Sequence, residues 1–355
     1  VIKVLQWARA ARKAGGQSVA AQLWEIARLR HGPYRLRTVE YYDYRLFEPG
    51  IPWQEKRRFI GSWIKDRVYR VQDPATAALC SDKLEAYRLF HAHGLPFPKL
   101  QAVTGQKDFP GAVLLNGQGR LAHWLRHEAR YPLFAKPAVS YRGFGGMLLS
   151  KYDAASNSLL LGNGERIALT DFTARYGAPG APAMLFQDLI RPHPAMAAVI
   201  GDRVATARLV VLNDGPEPEL WRGGLRIPTG KNMIDNFRDG RSGNLLASID
   251  LETGRIKDVY ARFGIHQHII DRHPDTGASF AGFVLPDWPQ AVTLIKAASK
   301  AIPGLKIHNW DVAFTYTGPM LIETNPRGDF GIPQLMGHGG LAVPRFLKLY
   351  EANTI

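Results

Sequence analysis

Asp311, Glu323 and Asn325 are the residues of this sequence whose types and spacing most clearly suit chemistry. They lie in Trp310-Asp311-Val-Ala-Phe-Thr-Tyr-Thr-Gly-Pro-Met-Leu-Ile-Glu323-Thr-Asn325-Pro-Arg327-Gly, which reads as two strands joined at Thr317-Gly318-Pro319. Side chains alternate along a strand, so Glu323 and Asn325 point the same way and Asp311 can sit across the hairpin from them. Two carboxylates and an amide oxygen suit a hard divalent cation that fills its remaining positions with water and phosphate oxygens. Polar residues at a hairpin end are the plainer account, but an acid closing an apolar strand needs a partner.

Three other segments carry candidate residues. In Pro132-Leu-Phe-Ala-Lys136-Pro-Ala-Val-Ser140-Tyr-Arg-Gly143-Phe-Gly145-Gly146-Met147 a lysine closes an apolar strand ahead of a glycine-rich turn. An ammonium and backbone N–H groups can approach phosphates there. Ordinary turn glycines would explain the loop but not the lysine. Met184-Leu-Phe-Gln187-Asp188-Leu-Ile190 is an apolar strand whose polar end could offer a carbonyl and an amide to a purine edge. Arg208, Arg222, Arg226, Lys231 and Asn236 form a basic, glycine-interrupted run. Nucleic acid could use such a run, but its strand setting favours a compact anion pocket, since guanidinium forks match carboxylate and phosphoryl oxygens.

These residues need an alternating framework to position them. Strands are expected at Ala112-Leu115, Leu133-Lys136, Met147-Ser150, Ala183-Gln187, Val204-Leu212, Leu245-Asp250, Val312-Tyr316 and Met320-Thr324. Helices are expected from Asp82 to His93, with Ser81 as N-cap and Gly94 as stop, and from Pro289 to Ala301. This is an α+β or mixed α/β pattern. Ahead of it, apolar spacing predicts two basic amphipathic helices within residues 1–31, broken at Gly15-Gly16. Their basic face could lie on an anionic membrane surface, though a solvated face beside a core stripe is the simpler account. The aromatic and basic stretch Tyr34 to Pro74 falls at helical intervals after Pro52, which predicts a packed helix there.

Composition removes several classes. The chain has 355 residues, 45 Lys and Arg against 31 Asp and Glu, and a net charge of +14. Such a charge favours anionic partners without choosing among them. No apolar run is long enough to span a membrane, and the start does not read as a secretory signal, so a cytoplasmic protein is expected. One cysteine, Cys80, can form neither an intrachain disulfide nor a thiolate-rich zinc site. Gly117-Gln-Gly119-Arg-Leu-Ala122 lacks the acidic residue a dinucleotide site needs downstream. Pro228-Thr-Gly230-Lys231 lacks the Ser or Thr of a phosphate loop, and the pairs His91/His93 and His266/His268 lack a third zinc ligand. No Gly-x-Ser-x-Gly elbow occurs.

From Asp82 onward the sequence resembles the ATP-grasp superfamily, most closely the sugar-transfer-associated ATP-grasp proteins related to glutamate-ligase-like enzymes. The resemblance rests on Asp82-Lys83-Leu84 with Gly94-Leu-Pro96-Phe-Pro98, on Lys136 and its glycine loop, on Gln187 to Ile190, on Arg208, on Arg222 to Asn244, and on Asp311, Glu323 and Asn325. It implies an α+β ATP-grasp fold, two lobes gripping ATP, behind a helical basic N-terminal region. Residues 1–95 would precede the grip, 96–190 would form its lid and 191–355 its core. Lys83 and Lys136 would hold ATP phosphates under the loop Ser140, Gly143, Gly145 and Gly146. Gln187, Asp188 and Ile190 would bind adenine, and Asp311, Glu323 and Asn325 would ligate magnesium. Asn309 stands where dipeptide-ligase relatives carry an arginine, so anion stabilisation falls to Arg208 with Arg226; Arg222, Lys231, Asn236 and Arg327 are left to bind substrate. The implied activity is an ATP- and Mg-dependent carboxylate–amine ligase working through an acyl-phosphate on small-molecule acid and amine substrates, in natural-product or polysaccharide-linked biosynthesis. The alternatives are an ATP-grasp kinase, or a nucleic-acid-binding protein with a vestigial ATP site.

Overall fold

The computed structural model describes residues 2–353 apart from 141–144, 231, 233–234, 238–240, 336 and 338. Gly143 and Lys231, both expected in the anion site, lie outside the described residues. The first of two seven-stranded sheets contains β1 (Leu100–Thr104), β2 (Val113–Leu115), β3 (Leu133–Pro137), β4 (Met147–Asp153), β5 (Ser158–Leu161), β6 (Arg166–Ala168) and β7 (Met184–Asp188), in the order β2-β1-β7-β3-β4-β5-β6. The second contains β8 (Thr206–Leu212), β9 (Glu219–Ile227), β10 (Leu245–Ile249), β11 (Ile256–Ala261), β12 (His268–Ile269), β13 (Ile307–Thr315) and β14 (Gly318–Thr324), in the order β12-β11-β10-β9-β8-β13-β14. No helix among the described residues is long and apolar enough to cross a membrane.

Burial on both faces explains the second sheet's composition. Every residue of β8 and β13 is buried. Leu209, Val211, Trp310, Val312 and Phe314 share one core with Ala291, Ile295 and Ala298 of the helix Trp288–Ala301. Val210, Leu212 and Ile307 pack in another core with Val68, Tyr69, Leu341 and Phe346. By strand alternation Arg208, Arg226 and Asp311 belong to this second face. Three ionisable groups inside a packed layer must satisfy one another.

Most expected strands form, but their limits move where the sequence pattern is mixed. β13 starts at Ile307, well before Val312, because His308 and Asn309 are buried polar residues inside it. β9 runs through the arginine- and glycine-containing stretch Glu219–Ile227, which carries no apolar alternation. Asp82, not Ser81, caps the helix Lys83–Ala92, accepting from the Leu84 N–H at 2.9 Å. Ser81 closes the preceding helix Pro74–Ser81 by donating to the Ala77 carbonyl at 2.8 Å.

The helices Ile2–Lys13 and Val19–His31 meet at Gly15-Gly16 as expected. The helix after Pro52 does not extend; it is the single turn Trp53–Lys56. Downstream the backbone is drawn to other partners: the Ile60 N–H donates to Gln334 Oε1 at 2.8 Å and the Gly61 N–H to the Tyr34 carbonyl at 2.9 Å. A Cβ on Gly61 would lie 2.3 Å from the Arg35 carbonyl oxygen, so the two backbones touch only because the residue is glycine.

That turn buries Lys56, whose Nζ lies 2.9 Å from Glu25 Oε2, while the Tyr41 hydroxyl donates to the same oxygen at 2.6 Å. Removing one member of a buried pair strands the other charge in the core. Glu25→Ala is expected to lower stability in denaturant unfolding by about 3–5 kcal/mol. Glu217→Ala, at the exposed pair with Lys300, is expected to leave the midpoint unchanged. Equal midpoints for the two variants would contradict this account of the N-terminal region.

Candidate active site

A β-bulge aims Glu323. Asp311 pairs in register with Glu323 and Val312 with Leu321, so Ile322 is an extra residue on β14. Without it Glu323 would follow Leu321 onto the face packed against the helix Trp288–Ala301. The bulge turns Glu323 to the face that carries Asp311, which is a common use of bulges beside functional sites. Asn325 follows on the same side, and its amide nitrogen donates to Glu323 Oε1 at 3.2 Å.

Asp311 is clamped between two guanidinium groups. Arg208 Nε donates to its Oδ1 at 2.5 Å and Arg208 Nη2 to Oδ2 at 3.1 Å, while Arg226 Nη2 lies 2.9 Å from Oδ2. Burial alone would raise the Asp311 carboxyl, but Arg208 and Arg226 outweigh it and hold the group below the usual carboxylate range. Asp235 lies 3.6 Å from Arg226 Nε and accepts from the Thr206 N–H at 2.8 Å. Arg226 Nε itself is buried without a hydrogen-bond partner among the described residues.

Two lysines approach this cluster from outside the second sheet. Lys83, the first residue of its helix, donates to the carbonyl and the hydroxyl of Ser140, both at 3.1 Å, and lies 3.9 Å from Glu323 Oε2. Lys136, at the end of β3, donates to the Tyr87 hydroxyl at 2.8 Å. Tyr87 in turn donates to the carbonyl of Ile322, the bulge residue, at 3.0 Å. One tyrosine on the helix Lys83–Ala92 therefore links the lysine of the first sheet to the bulge of the second. Burial pulls the Lys136 ammonium down to about 8; Glu323 opposes the shift and Lys83 adds to it.

The remaining expected residues are placed as follows. Gln187 is buried in β7, and its Oε1 has no hydrogen-bond partner among the described residues. The Asp188 N–H donates to the Lys99 carbonyl at 2.9 Å, so that hydrogen is already engaged, and Ile190 follows β7 half-buried. Gly145 has φ +79°, and a Cβ there would lie 2.8 Å from Pro137 Cγ, so the turn beside Lys136 requires glycine; Gly146 leads directly into β4. Arg222 does not reach the cluster: its guanidinium donates to the Gly339 and Gly340 carbonyls at 3.2 and 3.1 Å and fastens that loop to β9. The Asn236 carbonyl accepts from Asn244 Nδ2 at 2.9 Å, within the loop after β9. Arg327 pairs with Asp66 at 2.8 Å.

That last pair lies on a cavity of about 620 Å³, lined also by Lys65, Tyr69, Arg70, Gln72, Cys80, Lys83, Ser140, Glu323 and Asn325. Its wall from residues 65 to 81 carries no motif, which is why sequence reasoning missed it. The available signal was the run of basic and aromatic residues after Pro52, read there as a packed helix. Gln72 fixes this wall, donating to the Ile307 and Pro326 carbonyls at 2.6 and 2.9 Å and accepting from the Lys306 N–H at 2.6 Å.

The donor set bears on whether a cation fits. Among the described residues no group of three or more His, Cys, Asp and Glu side chains forms a metal cage. Here two carboxylates in register and one amide converge beside two lysines, a partial oxygen set that suits a hard cation sharing its ligands with phosphate. Among the described residues Glu323 is the member whose oxygens no arginine claims; Asp311 is tied to Arg208 and Arg226.

The family model for sugar-transfer associated ATP-grasp proteins matches residues 65–348. Similar solved structures include a D-alanine-D-alanine ligase from Coxiella burnetii, at 14% identity and TM-score 0.46, covering 80% of this chain and 59% of that one. The VanG D-Ala:D-Ser ligase from Enterococcus faecalis is similar at 14% identity and TM-score 0.43, covering 80% and 64%. An L-amino acid ligase from Bacillus licheniformis is similar at 12% identity and TM-score 0.42, covering 81% and 48%. The chain thus spans about three-fifths of the length of the first two solved relatives. No curated protein matches. The match over residues 65–348, with two sheets converging on the lysines and the bulged acid strand, places this chain in the sugar-transfer associated ATP-grasp family.

Proposed function

We propose that this protein uses ATP to activate a substrate carboxylate and joins the acyl group to an amine. The observation that carries the reading is the convergence of Lys83 and Lys136 on Glu323 at the bulge of β14. Transfer of a phosphoryl group needs positioned cations around spreading negative charge more than it needs covalent chemistry from the protein. Lys83 and Lys136 supply two such cations, and Gln187 Oε1 offers an unpartnered acceptor that an adenine amino group would satisfy. Magnesium, held through Glu323 and Asn325 with Asp311 alongside, would supply the neutralising charge on the phosphate oxygens.

In this reading the substrate carboxylate attacks the terminal phosphorus of ATP and ADP leaves. The amine nitrogen then attacks the acyl carbon, the C–N bond forms, the C–O bond to phosphate breaks, and the amine gives up a proton. Arg208 and Arg226 keep Asp311 ionised and fixed behind the reacting groups. Tyr87 keeps Lys136 aimed at the same point as the bulge.

Two measurements test this. ADP formation is expected to depend on both an acid and an amine, with a product mass equal to acid plus amine less water; Glu323→Ala and Lys136→Ala are expected to abolish it. A stable phosphorylated product formed without amine would establish a kinase instead, and nucleic-acid binding that is steeply salt-dependent and survives Glu323→Ala would point to the vestigial-site reading. The second measurement is pH dependence. Lys136 titrates at about 8, so it is charged below that pH and loses its hold on phosphate above it. The KM for ATP is expected to rise roughly tenfold between pH 7 and 9, following the charged fraction of Lys136, and to stay level in Lys136→Arg. A level wild-type profile would contradict the role given to Lys136.

A further inference from the structure

The cavity beside Glu323 has a built polarity. At one end stand Lys83, Glu323 and Asn325, where a carboxylate would be activated. The middle is formed by small side chains of the helix Pro74–Ser81, among them Ala77, Ala78 and Cys80. Burial pushes the Cys80 thiol up to about 12, so it presents an uncharged surface. The other end, where the Asp66–Arg327 ion pair joins the two walls as Lys83 and Glu323 do at the first, carries Lys65, Arg70 and Arg327, with Asp66 as its carboxylate among the described residues. Arg70 is exposed and has no ion-pair partner among the described residues.

This space is not the adenine site. Neither Gln187, Asp188 nor Ile190 lines it. A volume of about 620 Å³ is that of a ligand pocket, and its lining runs on past Lys83, Glu323 and Asn325, which would hold phosphate and cation, to Arg70 and Arg327. Nor is the wall loose: besides the clamp of Gln72, the Asp73 N–H donates to the Gly304 carbonyl at 2.8 Å, and Asp73 caps the next helix through the Thr76 N–H at 2.8 Å. A preformed pocket with an activating end, an apolar middle and a cationic far end selects for length and for charge at both ends of its ligand.

The geometry points to a dianionic acid as the carboxylate substrate: one carboxyl group beside the phosphate that Lys83 would hold, an extended apolar body along the helix Pro74–Ser81, and a second carboxylate on Arg70. This inference rests on the ligase reading. Arg70 binds by charge and takes no part in bond making, so it is a specificity residue.

The test is calorimetric binding to the full chain in the presence of magnesium and a non-hydrolysable ATP analogue. The probes are the straight-chain diacids from succinate to suberate, each beside its monomethyl ester. At least one diacid is expected to bind tenfold or more tightly than its ester. Arg70→Glu is expected to remove that preference while leaving nucleotide affinity unchanged, and Arg70→Lys to retain most of it. Equal binding of diacid and ester throughout the series, no binding of any diacid, or a preference that survives Arg70→Glu would each overturn the inference while the ligase reading stands. Failure of the nucleotide analogue to bind wild-type protein would overturn both.

Discussion

The extra residue at Ile322 is the constraint on which the rest of the site depends. A regular hairpin would send Glu323 with Leu321 into the core beneath the helix Trp288–Ala301, and Asp311 would face its arginines alone. The bulge brings the two carboxylates onto one face, and that arrangement is tolerable only because cations surround them. Bulges leave a backbone group out of the ladder, and here the Ile322 carbonyl is satisfied by the Tyr87 hydroxyl. The same hydroxyl accepts from Lys136. Correct placement of the acid on one sheet and of the lysine on the other is thus a single hydrogen-bonded event.

Charge is divided by function across this site. Arg208 and Arg226 are buried in the sheet and fixed on Asp311, with Asp235 behind them. Lys83 and Lys136 stand in front, and among the described residues they touch only neutral oxygens apart from the longer approach of Lys83 to Glu323. Fixed guanidinium–carboxylate pairs set the field, and in the proposed reaction the lysines, whose partners are neutral, exchange those partners for phosphate oxygens. The high net charge of the chain is therefore not one feature. Part serves the site, part lines the far end of the cavity, and much of the rest is carried by the solvated faces of the first two helices.

What was legible in the sequence was what local pattern encodes. The apolar runs ending in Lys136 and Gln187 announced β3 and β7, and the spacing of Asp311, Glu323 and Asn325 announced the hairpin. The bulge was not legible, since alternation counts residues and cannot see one omitted from pairing. β9 was hidden because its arginines and glycines erase the period of two, although Arg226 is placed by that strand. The extent of β13 was hidden by His308 and Asn309, polar residues whose partners include ones on other elements: Asn213 for His308, and Tyr69 and Asn325 for Asn309. The wall from residue 65 to 81 was invisible for the same reason, being held by Gln72 and Asp73 to carbonyls more than two hundred residues distant.

Tertiary contacts of this kind assemble the site, and in the proposed reaction its working charge is Glu323. Calorimetric titration of ADP in magnesium and in EDTA, with wild-type protein and with Glu323→Gln, tests that most directly. Magnesium is predicted to strengthen ADP binding by at least tenfold in the wild type and to leave it unchanged in Glu323→Gln. Equal ADP affinity in magnesium and in EDTA for the wild-type protein would contradict the account.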